Sequence, residues 1–475
     1  MQHEHTHPLT IVANLWRVLY LVVIPVFRGL LVALQGDLSR WLQGAWLDII
    51  ILLLMVGIAV WRWWVVTYTC DDDAIHIRSG MIVRKHARVP WNQIVSLSLV
   101  SSFYLRPFRA AHLRADTLGG SFKDADFSFL ISARKGRGIL NRYASDRTQQ
   151  LHRGYTPTTA SVLAMALLTS NSLAGIVFIA GFISTVGKLL GEEFSRLIIG
   201  TFENLARALT FGVPPAAAAL AYALLIGWFI GFLITFFRYK NFSVVRRTGR
   251  LSITGGIFTN REYSIQYDRV NFIDIRQSAI TKLLRLYSLY ISAVGYGKQK
   301  DDISCIIPTE GKQTFIKNRD LLFPALEPHR RQVYPHRNGV MRFIGAALSW
   351  CGGISAAMLT LAWLFPKLQR FILFVGLMLL IPALYLLVIR LIDFFTGGVS
   401  VREDSITLRY SKGLSLHVVV IPWDKIVELS LRQGMFQKFG HNCDLYIFTT
   451  SETRTKHHCR SLDKQALAQL LHLKL

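Results

Sequence analysis

One pattern occurs three times in this chain, at residues 89–99, 265–275 and 421–431, and it constrains the fold more than any other feature. Each copy has a β-branched residue, an aromatic residue two places later, a short polar stretch and then apolar residues at alternate positions. This spacing predicts a turn followed by a β-strand. Three copies of such a unit predict an internally repeated architecture.

The copies lie in three polar segments of similar size, residues 67–155, 238–340 and 394–475. Each segment opens with an alternating strand pattern, a glycine-containing turn and a second strand, which is typical of hairpins in an antiparallel sheet. The last segment ends in an amphipathic stretch at 463–471, which predicts a short helix. We therefore expect three small β domains, the last of them closed by a helix.

Apolar segments precede the three polar segments, at residues 11–66, 156–237 and 341–393, after an N-terminal tail at 1–10. Hydrophobic residues make up 52% of the chain and charged residues 17%, whereas soluble domains carry about 25% charged residues. About 20 apolar residues cross a bilayer, so each segment has room for two spans. The sequence predicts an α+β membrane protein with six transmembrane helices in three hairpins, each followed by a β domain.

The first predicted span is the weakest, because Arg17, Pro25 and Arg28 interrupt it. A charged side chain at the centre of a bilayer costs about 3 kcal/mol on insertion scales. We expect Arg28 to extend towards the interface or to face another helix.

The net charge of +25 predicts contact with anionic lipid rather than with nucleic acid, given the predicted spans. Most Lys and Arg residues lie in the polar segments and their flanks, which predicts that all three β domains and both termini are cytoplasmic. Arg246, Arg247 and Arg250 follow the fourth span and are candidates for contact with the membrane surface, at about 1 kcal/mol each. They are equally typical of an ordinary positive flank.

The sequence contains no phosphate-binding loop, zinc motif, serine nucleophile elbow or kinase signature. No catalytic residue, cofactor or metal is therefore predicted. Neighbouring residues of an extended chain point to opposite faces, which argues against metal binding by consecutive acidic or histidine residues. The groups considered are a histidine-rich N-terminal tail, two acidic runs and a His-His-Cys run: His3, His5 and His7; Asp71, Asp72 and Asp73; Glu192 and Glu193; His457, His458 and Cys459. The five cysteines form no CxxC pair and predict no disulfide framework.

A membrane hairpin followed by a β domain with the repeated pattern resembles the bacterial pleckstrin-homology-like (PH-like) family, in its large multi-pass form with three such domains. Three short runs add to the resemblance: His7-Pro8-Leu9, Arg276-Gln277-Ser278 and Arg432-Gln433-Gly434. The first copy departs from the Arg-Gln pair with Ser101-Ser102, and the second has Gln266 where the others have proline. If the Arg-Gln pair makes a domain contact, the first copy is expected to lack it.

The resemblance implies a seven-stranded, strongly bent sandwich or barrel capped by a C-terminal helix. It also implies a role in the bacterial cell envelope, at the cytoplasmic (inner) membrane. We expect Trp91, Tyr267 and Trp423, the aromatic residues of the three pattern copies, to be structural core residues rather than ligand platforms.

The sequence favours a non-enzymatic membrane scaffold whose domains bind each other, a partner protein or the membrane surface, with a homo-oligomer as one form of partner. The alternative is a transporter of lipids or small molecules, which needs polar groups inside the membrane. The spans offer few, chiefly Ser170, Asn171 and Ser349, and small polar residues also serve helix packing. An enzyme acting on lipid headgroups would need clustered histidines or carboxylates at the interface, which the sequence does not contain.

Overall fold

The computed structural model describes residues 4–18, 38–71, 73–80, 83–117, 125–144, 153–169, 215–296, 303–449 and 455–471. Most of the first predicted span, including Arg28, and most of the third lie outside these residues, as do Asp72, Ser170, Asn171, Glu192 and Glu193.

The strands, in chain order, are β1 (Glu4–His5), β2 (Thr67–Cys70), β3 (Ala74–Ser79), β4 (Lys85–Pro90), β5 (Ile94–Ser101), β6 (Ala110–Thr117), β7 (Phe127–Ser132), β8 (Arg153–Tyr155), β9 (Ser243–Arg247), β10 (Arg250–Gly255), β11 (Asn260–Gln266), β12 (Val270–Gln277), β13 (Leu286–Ala293), β14 (Cys305–Gly311), β15 (Gly398–Val401), β16 (Ser405–Lys412), β17 (Ser415–Pro422), β18 (Ile426–Arg432), β19 (Asn442–Thr449) and β20 (Thr455–Asp463). The helices are α1 (Leu9–Val18), α2 (Leu38–Val65), α3 (Ala133–Ala144), α4 (Thr159–Thr169), α5 (Pro215–Tyr239), α6 (Ala279–Leu283), α7 (Lys312–Leu322), α8 (Val340–Leu364), α9 (Gln369–Thr396), α10 (Met435–Phe439) and α11 (Lys464–Leu470).

Three helical stretches of the described chain are long and apolar enough to cross a membrane: Tyr222–Tyr239, Arg337–Leu364 and Pro366–Thr396. They coincide with the fourth, fifth and sixth predicted spans. In the last pair, α8 and α9 lie against each other, and a Cβ atom at Gly376 would come within 2.4 Å of Met358 Cγ, so glycine permits this close approach. The complete arrangement of six spans in three hairpins stays a prediction.

The described residues divide into two compact units. The first lies within 1–151, 247–254 and 258–268, and the second within 152–246, 255–257 and 269–475. The first unit contains a four-stranded antiparallel sheet in the order β1-β2-β3-β4 and a second sheet in which β7, β6, β5, β11 and β10 are neighbours. Ile75, Leu97 and Leu113 are fully buried between these layers, and α3 packs on the core through Leu140.

The second unit pairs β8 with β9 and contains two further sheets, in the orders β14-β13-β12-β17-β16-β15 and β18-β19-β20. Its main core joins Ile406, Val419, Ile447 and Leu462 from both of these sheets, with Leu467 of α11 packed on them. The alternating apolar positions of the sequence thus form the inner faces of sheets that are bent or packed over one core.

Residues before each predicted hairpin add a strand to the sheet that follows it. β1 pairs with β2, β8 pairs with β9, and Val333 forms a bridge with Val399 of β15. Together with the six strands after each hairpin, this short strand provides the seventh strand that the family resemblance implies. The sequence before the hairpins did not predict it, because two or three residues are too few to show an alternating pattern.

Consecutive repeats are joined by strand pairing within each unit. In the first unit, β5 of the first repeat pairs antiparallel with β11 of the second repeat. In the second unit, β12 of the second repeat pairs antiparallel with β17 of the third repeat. In both cases the strand of the repeated pattern pairs with the strand that precedes the next copy of the pattern.

Candidate functional site

The β12·β17 pairing contains a group of polar and charged side chains around a buried carboxylate. Asp274 of β12 is 4% exposed, and both of its carboxylate oxygens lie 3.0–3.1 Å from Nδ1 of His417 of β17. Arg276 donates from Nε to the same carboxylate over 2.6 Å, and its guanidinium lies 4.0 Å from the ring centre of Tyr290. Asp274 therefore joins the second repeat to the third through charge-assisted hydrogen bonds.

Two opposing effects determine the pKa of Asp274. Burial raises it, while the hydrogen bond from His417 and the positive charge of Arg276 lower it, and the result is a pKa below the ordinary value. A carboxylate is an acceptor only, so Nδ1 of His417 carries the proton in this contact. The ionised form of Asp274 is thus the form that the surrounding side chains stabilise.

Aromatic rings extend this group into the core of the third repeat. Tyr410 stacks on His417 with the ring planes 8° apart, and its hydroxyl lies 2.9 Å from Nδ1 of His457. Burial lowers the pKa of His457 to about 4, so the imidazole is neutral near pH 7. The next residue, His458, stacks on Tyr446 instead, with the ring centres 4.3 Å apart.

The same pairing forms one wall of a cavity of about 560 Å³. The cavity lies between the strand ends, α6, α7 and the last turn of α9, which contributes Asp393 and Thr396. This volume is in the range of small-molecule sites. Five cationic side chains line the cavity: Lys282, Lys312, Arg319, Arg331 and Arg409.

The protein itself neutralises these cations only in part. Arg331 donates to the carbonyl oxygens of Phe395 and Gly397 at the end of α9, over 2.8 and 3.1 Å, as basic residues at helix C-termini do. Arg319 pairs with the carboxylate of Asp320 over 2.6 Å. Arg409 donates to the carbonyl of His329, but its Nη1 is buried without a hydrogen-bond partner among the described residues.

The pKa values of two cavity residues are lowered mainly by burial, and neighbouring cations add to this effect, while Asp393 opposes it at Lys282. Burial, together with the charges of Arg331 and Arg409, lowers the pKa of Lys282. Burial, together with the charge of Arg331, lowers the pKa of Arg409. An anion in the cavity would oppose this repulsion.

Sequence reasoning missed this cavity because its cations come from three elements and a loop, spread from residue 282 to residue 409. For Asp274 a signal was available: the other two copies have Ser98 and Ser430 at this position of the strand, and a carboxylate there needs a buried partner.

The predicted surface arginines are half-buried in the structure. Arg246 of β9 is opposite Arg153 of β8. Arg250 lies 3.7 Å from the ring centre of Tyr143 and donates to the Tyr143 carbonyl at the end of α3. The contact of Arg246, Arg247 and Arg250 with the membrane surface stays a prediction.

The aromatic residues of the repeated pattern make one shared contact. The backbone N–H groups of Trp91, Tyr267 and Trp423 each donate to a carbonyl in the turn of the preceding hairpin, at Asp73, Gly249 and Asp404. The indole N–H groups of the two tryptophans also donate to carbonyls, at Asp71 over 3.0 Å and at Arg402 over 2.8 Å. Both indoles pack against the cores of their domains.

The glutamine of the Arg-Gln pair makes a hydrogen bond within its own repeat. Gln277 donates to the carbonyl of Leu286 over 2.7 Å, and Gln433 donates to that of Asn442 over 3.1 Å, both within one repeat. In the first repeat the equivalent residues are Val100 and Ser101, one position earlier than the predicted Ser101-Ser102, and Ser101 Oγ makes the corresponding bond to Ala110 over 3.2 Å. In the second repeat both residues also lie at the junction with the third repeat, where Arg276 is opposite His417 and Gln277 is opposite Leu416 in the β12·β17 register.

The repeated antiparallel sheets and the long apolar helices are those of a membrane protein with repeated PH-like domains. The family model for the bacterial PH domain matches the chain three times, over residues 20–146, 194–315 and 347–473, and the chain belongs to this family. It is 22% identical over 360 residues to the UPF0699 transmembrane protein YdbT of Bacillus subtilis (strain 168), an alignment covering 70% of this chain and 68% of that protein. No solved structure matches. The chain is thus a transmembrane protein with repeated bacterial PH domains.

Proposed function

We propose that the protein is a non-enzymatic scaffold of the bacterial cytoplasmic membrane whose cationic cavity binds the phosphate of an anionic lipid headgroup. The observation that carries this proposal is the excess of cations around a cavity at the end of α9, where five cationic side chains and the carboxylate of Asp393 are among the lining residues. A headgroup is the anion that a site next to the end of a membrane span meets at the highest concentration.

The proposed orientation places the three PH-like domains and both termini in the cytoplasm. The support is the distribution of Lys and Arg along the chain, which favours the domain side of each span. In this orientation the cavity opens near the inner leaflet, where anionic lipids give the surface a negative potential.

The scaffold part of the proposal is supported by the way in which the repeats are joined. The β5·β11 and β12·β17 pairings join consecutive repeats by backbone hydrogen bonds, which hold domains in a fixed relation within each unit. The pKa values of one thiol and one imidazole also favour binding over catalysis. Burial raises the pKa of Cys305 to about 12 and lowers that of His457 to about 4, so neither is a reactive group near pH 7.

Transport is the alternative function, and it requires a polar route through the spans. Among the described residues, the last turn of α9 is the one part of a membrane span that lines the cationic cavity, through Asp393 and Thr396. The other lining residues lie outside the spans. The site therefore favours headgroup binding at the interface over passage through the membrane.

The test compares two lysines of the same helix, α7. Both lysines are exposed, but Lys312 lines the cavity and Lys317 does not. Native mass spectrometry of protein released from membranes containing phosphatidylglycerol would count the retained lipids. We expect Lys312→Gln and Lys282→Gln to retain anionic lipid about fivefold more weakly, as expected for about 1 kcal/mol per charge, and Lys317→Gln to behave as the wild type.

Equal retention by Lys312→Gln and Lys317→Gln would contradict the proposal. Inorganic phosphate added to the detergent solution separates the two sources of a phosphate group. Release of bound lipid at millimolar phosphate would assign the cavity to a soluble anion, while lipid that stays bound supports headgroup recognition.

A further inference from the structure

The two junctions between repeats use one register. Counting from the first residue of each copy of the pattern, the ninth residue of one copy is opposite the residue that immediately precedes the next copy. Leu97 is thus opposite Ser264 in β5·β11, and Ile273 is opposite Val420 in β12·β17. Two independent pairings with the same register indicate a specific docking geometry rather than an accidental contact between sheet edges.

Each terminal repeat has one strand of this pairing system at a sheet edge. β18 of the third repeat corresponds to β5 and β12, and it is the terminal strand in the order β18-β19-β20. β4 of the first repeat corresponds to β11 and β17, and it is the terminal strand in the order β1-β2-β3-β4. Within the described residues, no further strand pairs with β18 or β4 on its outer side.

Side-chain exposure follows the same division. Val427 of β18 is 61% exposed, whereas Val95 and Asn271, at the same position of the other copies, are 1% and 2% exposed. Residues 85–88 of β4 are all exposed, whereas most of β11 and β17 is buried. A seven-residue edge strand with an exposed valine is a template for a further strand.

The charges of β4 are compatible with strand pairing in this chain. Basic residues often protect an edge from pairing, and β4 has Lys85, His86 and Arg88. However, β11 has Arg261 at the position of Lys85, and it is paired with β5 throughout. β17 has His417 at that position and is paired with β12.

We propose that β18 of one chain pairs antiparallel with β4 of a second copy of this chain, in the register of the two internal junctions. This register places Leu429 opposite Arg88, Ser430 opposite Ala87 and Leu431 opposite His86 of the second copy. Because two different edges meet, the contact is heterologous and joins chains into a ring or an open row. Chains embedded in one bilayer share an orientation with respect to it, which a row of this kind requires.

The test uses cysteine pairs in full-length chains in membranes. Ser430→Cys is placed in a chain with one affinity tag and Ala87→Cys in a chain with another tag, and the two are expressed together and oxidised with copper phenanthroline. Side chains directly opposite each other in an antiparallel pair have Cβ atoms about 5 Å apart, which is close to disulfide distance. We expect a mixed disulfide dimer that contains both tags.

The control replaces Ala87→Cys by Arg88→Cys, since a shift of one residue moves the side chain to the other face of the strand. The mixed dimer should then be lost. The wild-type chain is the blank for native thiols, and burial keeps the pKa of the half-buried Cys70 at about 11, which makes it a poor reactant.

Several results would overturn the proposal. These are a dimer of two Ser430→Cys chains without the mixed dimer, equal yields with Ala87→Cys and Arg88→Cys, or a disulfide that forms only within one chain carrying both substitutions. Absence of the mixed dimer also overturns it. Cysteines that react with maleimide would then show that the two edges are free, and cysteines that do not react would show that another molecule covers them. Neither result is compatible with pairing to a second copy.

A second variant tests the contact without cysteines. Ala87→Asp places a carboxylate at an exposed position, where the monomer tolerates it, but inside the proposed pairing, where it loses its hydration. We expect the wild type and Ala87→Ser to show a mass greater than one chain by light scattering in mild detergent, and Ala87→Asp to show the mass of one chain. Equal masses for all three proteins would contradict the proposal.

Discussion

The β5·β11 and β12·β17 junctions have the same backbone register but bury different side chains. In the first junction, Ser98 and Val100 of β5 occupy the positions that Asp274 and Arg276 occupy in β12. The first junction has its ion pair at the surface, where Arg137 lies 3.1 Å from Glu262. The second has its charges in the interior, around a carboxylate that is 4% exposed.

This difference shows that backbone pairing and side-chain chemistry are separate properties of a junction. The register follows from the repeated pattern of strands and is the same with or without buried charge. The buried charges add a site to one junction, since His417 both binds Asp274 and lines the cationic cavity. The second junction is therefore more specialised than the first, and more sensitive to the loss of a single group.

The largest effect is expected from Asp274→Ala. It leaves the buried His417 without its carboxylate, and breaking a buried pair costs about 3–5 kcal/mol of unfolding free energy. Ser98→Ala, the matched change in the first junction, should cost about 1 kcal/mol or less. Hydrogen exchange measured by mass spectrometry separates the two, because only the amides of β12 and β17 should exchange faster in Asp274→Ala.

A double variant sharpens this comparison. Asp274→Ser with Arg276→Val gives β12 the residues that β5 has at these two positions, and it removes both charges of the Asp274–Arg276 pair. We expect the double variant to be more stable than the sum of the two single changes by about 1–3 kcal/mol. Additive effects would show that the carboxylate and the guanidinium are not coupled.

Acidification should weaken the second unit before Asp274 is protonated. The pKa of His457 is about 4 in the fold against an ordinary value of 6.5, so the unfolded chain binds the proton first as the pH falls. The free energy of unfolding should drop by about 3 kcal/mol between about pH 6.5 and pH 4. Because the pKa of Asp274 is below its ordinary value of 3.8, its contribution is lost only at lower pH.

Thermal unfolding of the detergent-solubilised protein at a series of pH values measures this dependence. His457→Gln keeps a polar group near Tyr410 but does not titrate, so its unfolding should depend less on pH between 6.5 and 4. An unchanged pH dependence in this variant would assign the acid sensitivity to other groups.

The smallest effect is expected from the hydrogen bond that all three repeats share. Gln277→Ala removes the bond to Leu286, and Ser101→Ala removes the corresponding bond to Ala110. Each change should cost about 1 kcal/mol, since each removes one ordinary hydrogen bond. The measurement is local hydrogen exchange at β13 and at β6, and a much larger cost in only one repeat would show that the residues are not equivalent.

Much of the architecture could be predicted from the sequence. The repeated β domains and the bacterial PH family were confirmed, because alternating apolar residues and turn glycines act over a few neighbouring positions. The apolar lengths predicted spans, and three helices long enough to cross a membrane were found among the described residues. The contacts of individual side chains were harder to predict. Arg250, a candidate for contact with the membrane surface, lies over the ring of Tyr143.

The sequence by itself determined the repeat, the membrane-spanning helices and the excess of positive charge, since these depend on residue type and local spacing. Only the tertiary structure decided which strand edges pair and which cations meet. Lys282 and Arg409 line one cavity although 127 positions separate them in the chain. Strand pairing between repeats brings such distant residues together, and its backbone hydrogen bonds leave no trace in residue type.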